Sequence, residues 1–386
     1  MNDPNVWQNL LNSIKPMLFV SRMFGLLTFT YSDKGLNESK IKYIGNILAL
    51  LIYTPITFYG IMIRLRHRTM VLYKTTDIIQ LIVSMVYLEI AWIMSMVYQK
   101  KNIKLLNEIK NYDKNTIRTN NNIDYKRTLR YIWYNIGIRI LVTIVSIAGQ
   151  VMTLTYSFNT INKSMFYVVN FFPTILNSAV CLQSVTYIHL IRYRFKVLNK
   201  MIHSIIISVN TQPTGTIQSI NIYKKVSGDL VKLYNICSMH HQLAKLIKLF
   251  NKTFGVTLLV MFGVSFVNIV VGLYFPCANF RSEEIDWDTV VNYLLVCLPF
   301  IMDTIYVCHG CNSTVEEFKK SGILIHKIDT EDYDMKDQIE MFSLQIANEQ
   351  VEFNASGFFP INFTLLFSII GGVTTYIIIL IQLSNP

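Results

Sequence analysis

The chain has 386 residues, of which 52% are hydrophobic and only 15% charged, and its formal net charge is +11. Roughly a quarter of the residues of a soluble globular domain are charged, so this composition excludes an ordinary soluble fold. The surplus Lys and Arg flank apolar runs, the arrangement of membrane loops, and no nucleic-acid partner is expected.

The start, MNDPNVWQNLLNSIKP, has no basic segment followed by an apolar core, so no secretory signal is expected and the first span should act as its own anchor. Seven apolar runs are long enough to cross a hydrocarbon core of roughly 30 Å. They lie at about 44–63, 76–99, 132–156, 165–188, 253–275, 289–309 and 361–383. Pro55 and Pro299 fall inside spans, where neighbouring helices tolerate them as kinks. With the N-terminus inside, the cytoplasmic segments hold 28 Lys and Arg against 6 in the outer ones, despite the dissenting run Arg64–Arg68. The positive-inside rule therefore predicts an all-α membrane protein of seven transmembrane helices, N-terminus cytoplasmic and C-terminus extracellular.

Two cytoplasmic segments carry helical periodicity. Residues 189–252 read as amphipathic continuations of spans four and five, and 314–353 as a further amphipathic pair. Residues 111–125, NYDKNTIRTNNNIDY, show no periodicity and read as an Asn-rich polar loop. The outer loops are too short to form a binding domain, so an external ligand must bind among the helices.

No catalytic signature is present: there is no HExxH, no GxSxG and no phosphate-cradling glycine loop. The chain is not expected to be an enzyme or to carry a cofactor. Cys308 and Cys311 lack a second ligand pair and read as ordinary thiols, His240-His241 as a surface pair, so no metal site is expected. Ionisable groups inside spans are costly and therefore draw notice. Glu89, Arg139 and Asp303 are the three, read chiefly as interhelical polar contacts, with Arg139 a conceivable partner for Glu89. The outer half of the bundle offers polar groups suited to a neutral organic ligand. Gln80, Ser84 and Tyr87 lie on span two, Gln150, Thr153 and Tyr156 on span three, and Asn170 and Asn177 on span four. Asn268 and Tyr274 on span five and Asn292 and Tyr293 on span six complete the set. The competing reading is that these groups simply hydrogen-bond between helices.

The last span is not uniformly apolar. Thr364, Ser368, Gly371, Thr375 and Gln382 recur at steps of three, four and seven, which places them on one helix face. Such a stripe either packs on a neighbour or faces water. The helix ends in Thr375-Tyr376-Ile377-Ile378-Ile379-Leu380-Ile381-Gln382-Leu383, which resembles the Thr-Tyr, five hydrophobics, Gln-Phe signature of the insect gustatory receptor family. Leu383 departs from it by replacing Phe. The preceding ANEQVEFNASGFFPINFTLL is similar to that family's approach to its last helix, and the resemblance in detail covers about the last 70 residues. It implies a tastant-gated cation channel in the plasma membrane of sensory neurons, embedded in membrane lipid and assembled as a homotetramer or with related receptors. It implies a ligand-binding region over 1–309, whose cytoplasmic extensions form an anchor, and an anchor helix plus pore helix over 310–386. The pore would be lined by Ser368, Gly371, Thr375, Ile378 and Ile379, with Gln382 and Leu383 at the outer constriction. Sugar-tuned members carry Glu after Thr-Tyr; Ile377 stands there, which favours bitter or other plant-derived compounds.

Two other classes compete. A G-protein-coupled receptor requires an outside N-terminus, and neither an Asp-Arg-Tyr after span three nor an Asn-Pro-x-x-Tyr in span seven is present. A secondary transporter calls for internal repeats or interrupted helices, and none is evident.

Overall fold

A computed structural model describes residues 4–32, 35–67, 71–154, 160–210, 219–280, 285 and 287–383. Helices dominate: α1 (Pro4–Met23), α2 (Lys40–His67), α3 (Val71–Val97), α4 (Gln99–Arg118), α5 (Tyr125–Leu154), α6 (Thr160–Asn210), α7 (Ser219–Asn279), α8 (Trp287–Ile325), α9 (Tyr333–Asn348) and α10 (Phe363–Leu383). Seven of them, α2, α3, α5, α6, α7, α8 and α10, are long and apolar enough to span a bilayer. Each coincides with one of the seven expected runs.

α6, α7 and α8 are 51, 61 and 39 residues long. At 1.5 Å per residue they reach roughly 60–90 Å, far beyond a hydrocarbon core. Their excess length gathers at one end of the bundle, here termed the base, where α1, α4 and α9 pack against it. The expectation that spans four and five continue as helices is met, and span six does the same.

Three expectations need correction. Residues 111–118 are the last two turns of α4, not a loop. Leu105, Leu106, Ile109, Tyr112, Asp113 and Thr116 recur at steps of one, three and four and are all buried, so the segment is amphipathic with a polar residue on its inner face. Asp113 belongs inside because it is paired with Arg194 of α6, through Nε to Oδ1 at 3.0 Å and Nη2 to Oδ2 at 2.7 Å. His240 is fully buried, with its ring among Phe195, Phe318 and Phe342 at centroid distances of 5.7, 4.7 and 5.2 Å. Only its neighbour His241 reaches the surface, where it pairs with Glu349. Finally, Arg139 pairs with Asp303 and not with Glu89, whose carboxylate accepts from Thr54 Oγ1 at 2.8 Å.

The first 40 residues contain elements that no membrane-length apolar run marks. Pro4 opens α1, a position where its missing N–H costs nothing. Trp7, Leu10, Leu11, Ile14, Met17 and Leu18 form its buried stripe against α4, α5 and α6. A short antiparallel hairpin, β1 (Phe29–Ser32) and β2 (Gly35–Glu38), then leads into α2.

Candidate functional site

α10 is the most exposed of the spanning helices. Only 6% of its most apolar stretch is buried, against 89% for that of α6. Its packed face is Leu365, Leu366, Ile369, Val373, Ile377 and Leu380, which lie against the main core. Tyr376 meets Phe266 of α7 edge-on at 5.6 Å, and Gly372 lets the two helices approach at Phe266. Thr364, Ser368, Gly371, Thr375 and Gln382 all point away from the subunit, as do Ile378 and Ile379. The Ser368 and Thr375 hydroxyls donate to the carbonyls of Thr364 and Gly371, both at 3.0 Å, so each is satisfied without a neighbouring helix. Phe367 and Ile370 are exposed, which places them outside the packing face to which Leu365 and Val373 belong. The Leu383 side chain lies outside the described residues.

A built connector launches this helix. Residues 349–362 fold back on α7: Phe353 lies edge-on to Phe250 at 5.3 Å, and Phe359 meets Phe262 at 6.2 Å. The turn is closed by Ala355 N donating to Phe359 O at 3.0 Å and by Ile361 N donating to Phe353 O at 2.7 Å. Asn251 of α7 holds its entering arm, donating to Glu352 O and accepting from Asn354 N. Ser356 and Gly357 take left-handed conformations, φ +54° and +83°, at its tip. Asn362 then caps α10, its Oδ1 accepting from Leu365 N at 3.1 Å.

Within the bundle, Glu89, Arg139 and Asp303 are each partnered. Arg139 of α5 and Asp303 of α8 form a buried ion pair, and Asn177 of α6 donates to the second oxygen of Asp303 at 2.7 Å. Arg139 also donates to Cys181 Sγ at 3.1 Å and lies over the Tyr306 ring at 5.5 Å. Three helices are thus tied at one depth, which compensates two charges that the bilayer would penalise. A cavity with room for about one water, about 10 Å³, borders Arg139, Asp303, Asn135 and Ser178. At the base, burial raises the affinity of the Asp113 carboxyl for its proton, while the Arg194 guanidinium opposes that shift.

The expected ligand residues are not gathered into one cluster. Asn177 is occupied by Asp303, although its Oδ1 has no partner among the described residues. Asn268 accepts from Gln80 Nε2 at 2.8 Å, a tie between α3 and α7. Tyr293 stacks on Phe275 at 4.5 Å, and Asn292 is buried one residue before it. Tyr87 is fully buried and its hydroxyl has no hydrogen-bond partner among the described residues. Tyr156 lies outside the described residues, as do the side chains of Gln150, Thr153 and Asn170.

The sequence matches the family described as 7tm Chemosensory receptor over residues 14–384. The chain belongs to that family. Among chemosensory relatives, a Drosophila melanogaster protein provisionally named gustatory receptor 28b is 20% identical, covering 98% of this chain and 87% of its own length. The D. melanogaster gustatory receptor for bitter taste 66a is 29% identical over 39% of this chain and 30% of its own length. Among solved structures, the insect olfactory receptor OR5 from Machilis hrabei superposes with a TM-score of 0.69 at 14% identity, over 98% of this chain and 99% of OR5. A second OR5 structure, in complex with eugenol, matches with a TM-score of 0.67 over the same shares and at the same identity. This chemosensory receptor is therefore a multi-pass membrane protein with the helical fold of an insect olfactory receptor, and its relatives are receptors and not enzymes.

Proposed function

We propose that this receptor is one subunit of a tastant-gated, non-selective cation channel in the plasma membrane of sensory neurons. The observation that carries the reading is α10. One of its faces packs on α7 and α8, while the other presents Thr364, Ser368, Gly371, Thr375 and Gln382 away from the subunit. A spanning helix with an uncovered polar stripe needs water or further copies against it. Four subunits around an axis would supply both, with Ile378 and Ile379 narrowing the path below Gln382 and Leu383. Related receptors could take some of the four places. The N-terminus would be cytoplasmic and the C-terminus extracellular, as the Lys and Arg distribution requires.

On this reading residues 1–309 hold the ligand-binding helices, and 310–386 hold the anchor helix and the pore helix. The small-molecule tastant would bind between spans two and six, away from the base. Tyr87, Asn177, Asn268, Asn292, Tyr293, Gln150, Tyr156 and Asn170 are the proposed contacts. The Tyr87 hydroxyl and Asn177 Oδ1, without partners among the described residues, are its clearest hydrogen-bonding groups. Burial of polar groups without partners is costly, and a ligand supplies the missing partner. A neutral, bitter or plant-derived organic molecule fits such groups better than a charged one. Ile377 at the position after Thr-Tyr supports that choice.

The test is whole-cell recording from cells expressing this chain alone, with plant alkaloids and sugars applied side by side. The reading expects an inward cation current evoked by the former and altered by Gln382→Leu. An agonist response that survives with no ionic current would favour a metabotropic receptor instead.

A further inference from the structure

The groove where α2 begins and α3 ends has a composition that neither pore nor tastant site uses. It encloses about 450 Å³, and its walls change character along its length. Tyr43, Ile44 and Val97 form the apolar part, with Ile44 55% and Val97 61% exposed. Lys40, Lys100 and Glu38 form the polar part, on the side of the base.

Depth explains the order. The apolar stretch of α2 starts at Lys40, and that of α3 ends at Val97. The groove therefore straddles the plane where hydrocarbon gives way to headgroups, apolar residues on the bilayer side and lysines on the aqueous side. The charge is lopsided too. Lys40 has no acidic partner among the described residues, and Lys100 meets Glu38 at 3.9 Å with both side chains mostly exposed, a weak contact. Lys101 and Lys104 follow on α4, whereas Lys42 is occupied by donating to Phe29 O at 2.7 Å. A juxtamembrane cluster of this kind attracts anionic lipid.

The geometry points to an anionic glycerophospholipid bound in this groove, phosphate and acidic headgroup on Lys40 and Lys100, acyl chains along Tyr43, Ile44 and Val97. A free phosphate or a nucleotide would use only half of these walls. Glu38 competes for Lys100 and sets the affinity. Which leaflet supplies the lipid follows from the proposed N-inside orientation, but binding itself does not depend on it.

The test uses the purified full chain in nanodiscs of phosphatidylcholine doped with phosphatidylserine, with retained lipid counted by native mass spectrometry. Phosphatidylserine should be retained over phosphatidylcholine. Lys40→Gln and Lys100→Gln should each weaken retention by about fivefold, the effect of one basic residue near an anionic surface. Glu38→Gln should strengthen it, an outcome that damage to the fold cannot produce. Glycerophosphoserine, the headgroup without chains, should fail to compete. Equal retention of both lipids, a Lys40→Gln/Lys100→Gln protein that binds like wild type, a Glu38→Gln protein that binds no better, or full competition by glycerophosphoserine would each overturn the assignment.

Discussion

Ser356 N stands 2.7 Å from the position that a Cβ on Gly255 would occupy. Gly255 lies on α7 where that helix enters the bundle, and Ser356 lies at the tip of the connector that launches α10. Backbone therefore touches backbone between the longest helix and the segment immediately before the proposed pore wall. A methyl group at 255 cannot be absorbed by a flexible side chain, because the nearest atom is main chain. Gly255→Ala should displace the connector and cost about 1–3 kcal/mol, the usual range for overpacking a core. Thermal unfolding in detergent should show the loss, and agonist-evoked current should fall by more than surface expression does.

The Arg194–Asp113 pair makes a different kind of prediction. Both side chains are completely buried, and Tyr125 adds a third hydrogen bond to the carboxylate at 3.1 Å. Arg194→Met alone leaves a buried carboxylate without its counter-charge and should cost about 3–5 kcal/mol. Adding Asp113→Leu should recover much of that loss, since replacing both partners by apolar groups is often nearly neutral. A double variant as unstable as the single one would mean that the pair also positions α4 in a way that packing cannot replace.

Inside the membrane, Asp303→Asn should impair folding more than Glu89→Gln. Asp303 neutralises a buried guanidinium, whereas Glu89 is half-buried and accepts from a threonine hydroxyl. The comparison reads directly as the fraction of receptor that reaches the cell surface. Equal surface levels would contradict the assignment of Arg139 to Asp303.

Tyr87→Phe separates a ligand contact from a structural one. The hydroxyl makes no hydrogen bond within the described residues, so deleting it should leave stability within about 0.5 kcal/mol, or raise it slightly. If the hydroxyl meets the tastant, agonist potency should drop by roughly tenfold, the worth of a hydrogen bond of about 1.4 kcal/mol. Unchanged potency would remove Tyr87 from the proposed contacts.

The spans were legible because a bilayer imposes a length of apolar sequence that little else requires. Span three, expected over 132–156, falls on α5 as far as Leu154, where that helix ends, and the polar stripe of α10, whose periodicity allowed either packing or exposure, faces away from its own subunit. α1 was equally legible in principle: Trp7, Leu10, Leu11, Ile14, Met17 and Leu18 follow helical spacing, but the stripe is too short to register beside membrane runs. What could not be read was pairing over distance. Asp113 looks like a loop residue until Arg194, 81 positions on, is seen beside it. Asp303 and Arg139 are 164 positions apart, and composition alone offered Glu89 as readily. The burial of His240 comes from three phenylalanines, one on an earlier helix and two on later ones, none adjacent in sequence.

The central claim is that the uncovered face of α10 lines the conduction path, and cysteine accessibility along that helix tests it most directly. Single cysteines at Thr364, Ser368, Gly371, Thr375 and Gln382, and at Leu366, Val373 and Ile377 on the packed face, are exposed to a charged, water-soluble thiol reagent during agonist-evoked current. The account predicts that modification blocks current at the first five positions, faster with agonist present, and leaves it unchanged at the last three relative to wild type. Block confined to the packed face, or no block at any position on the stripe, would contradict it.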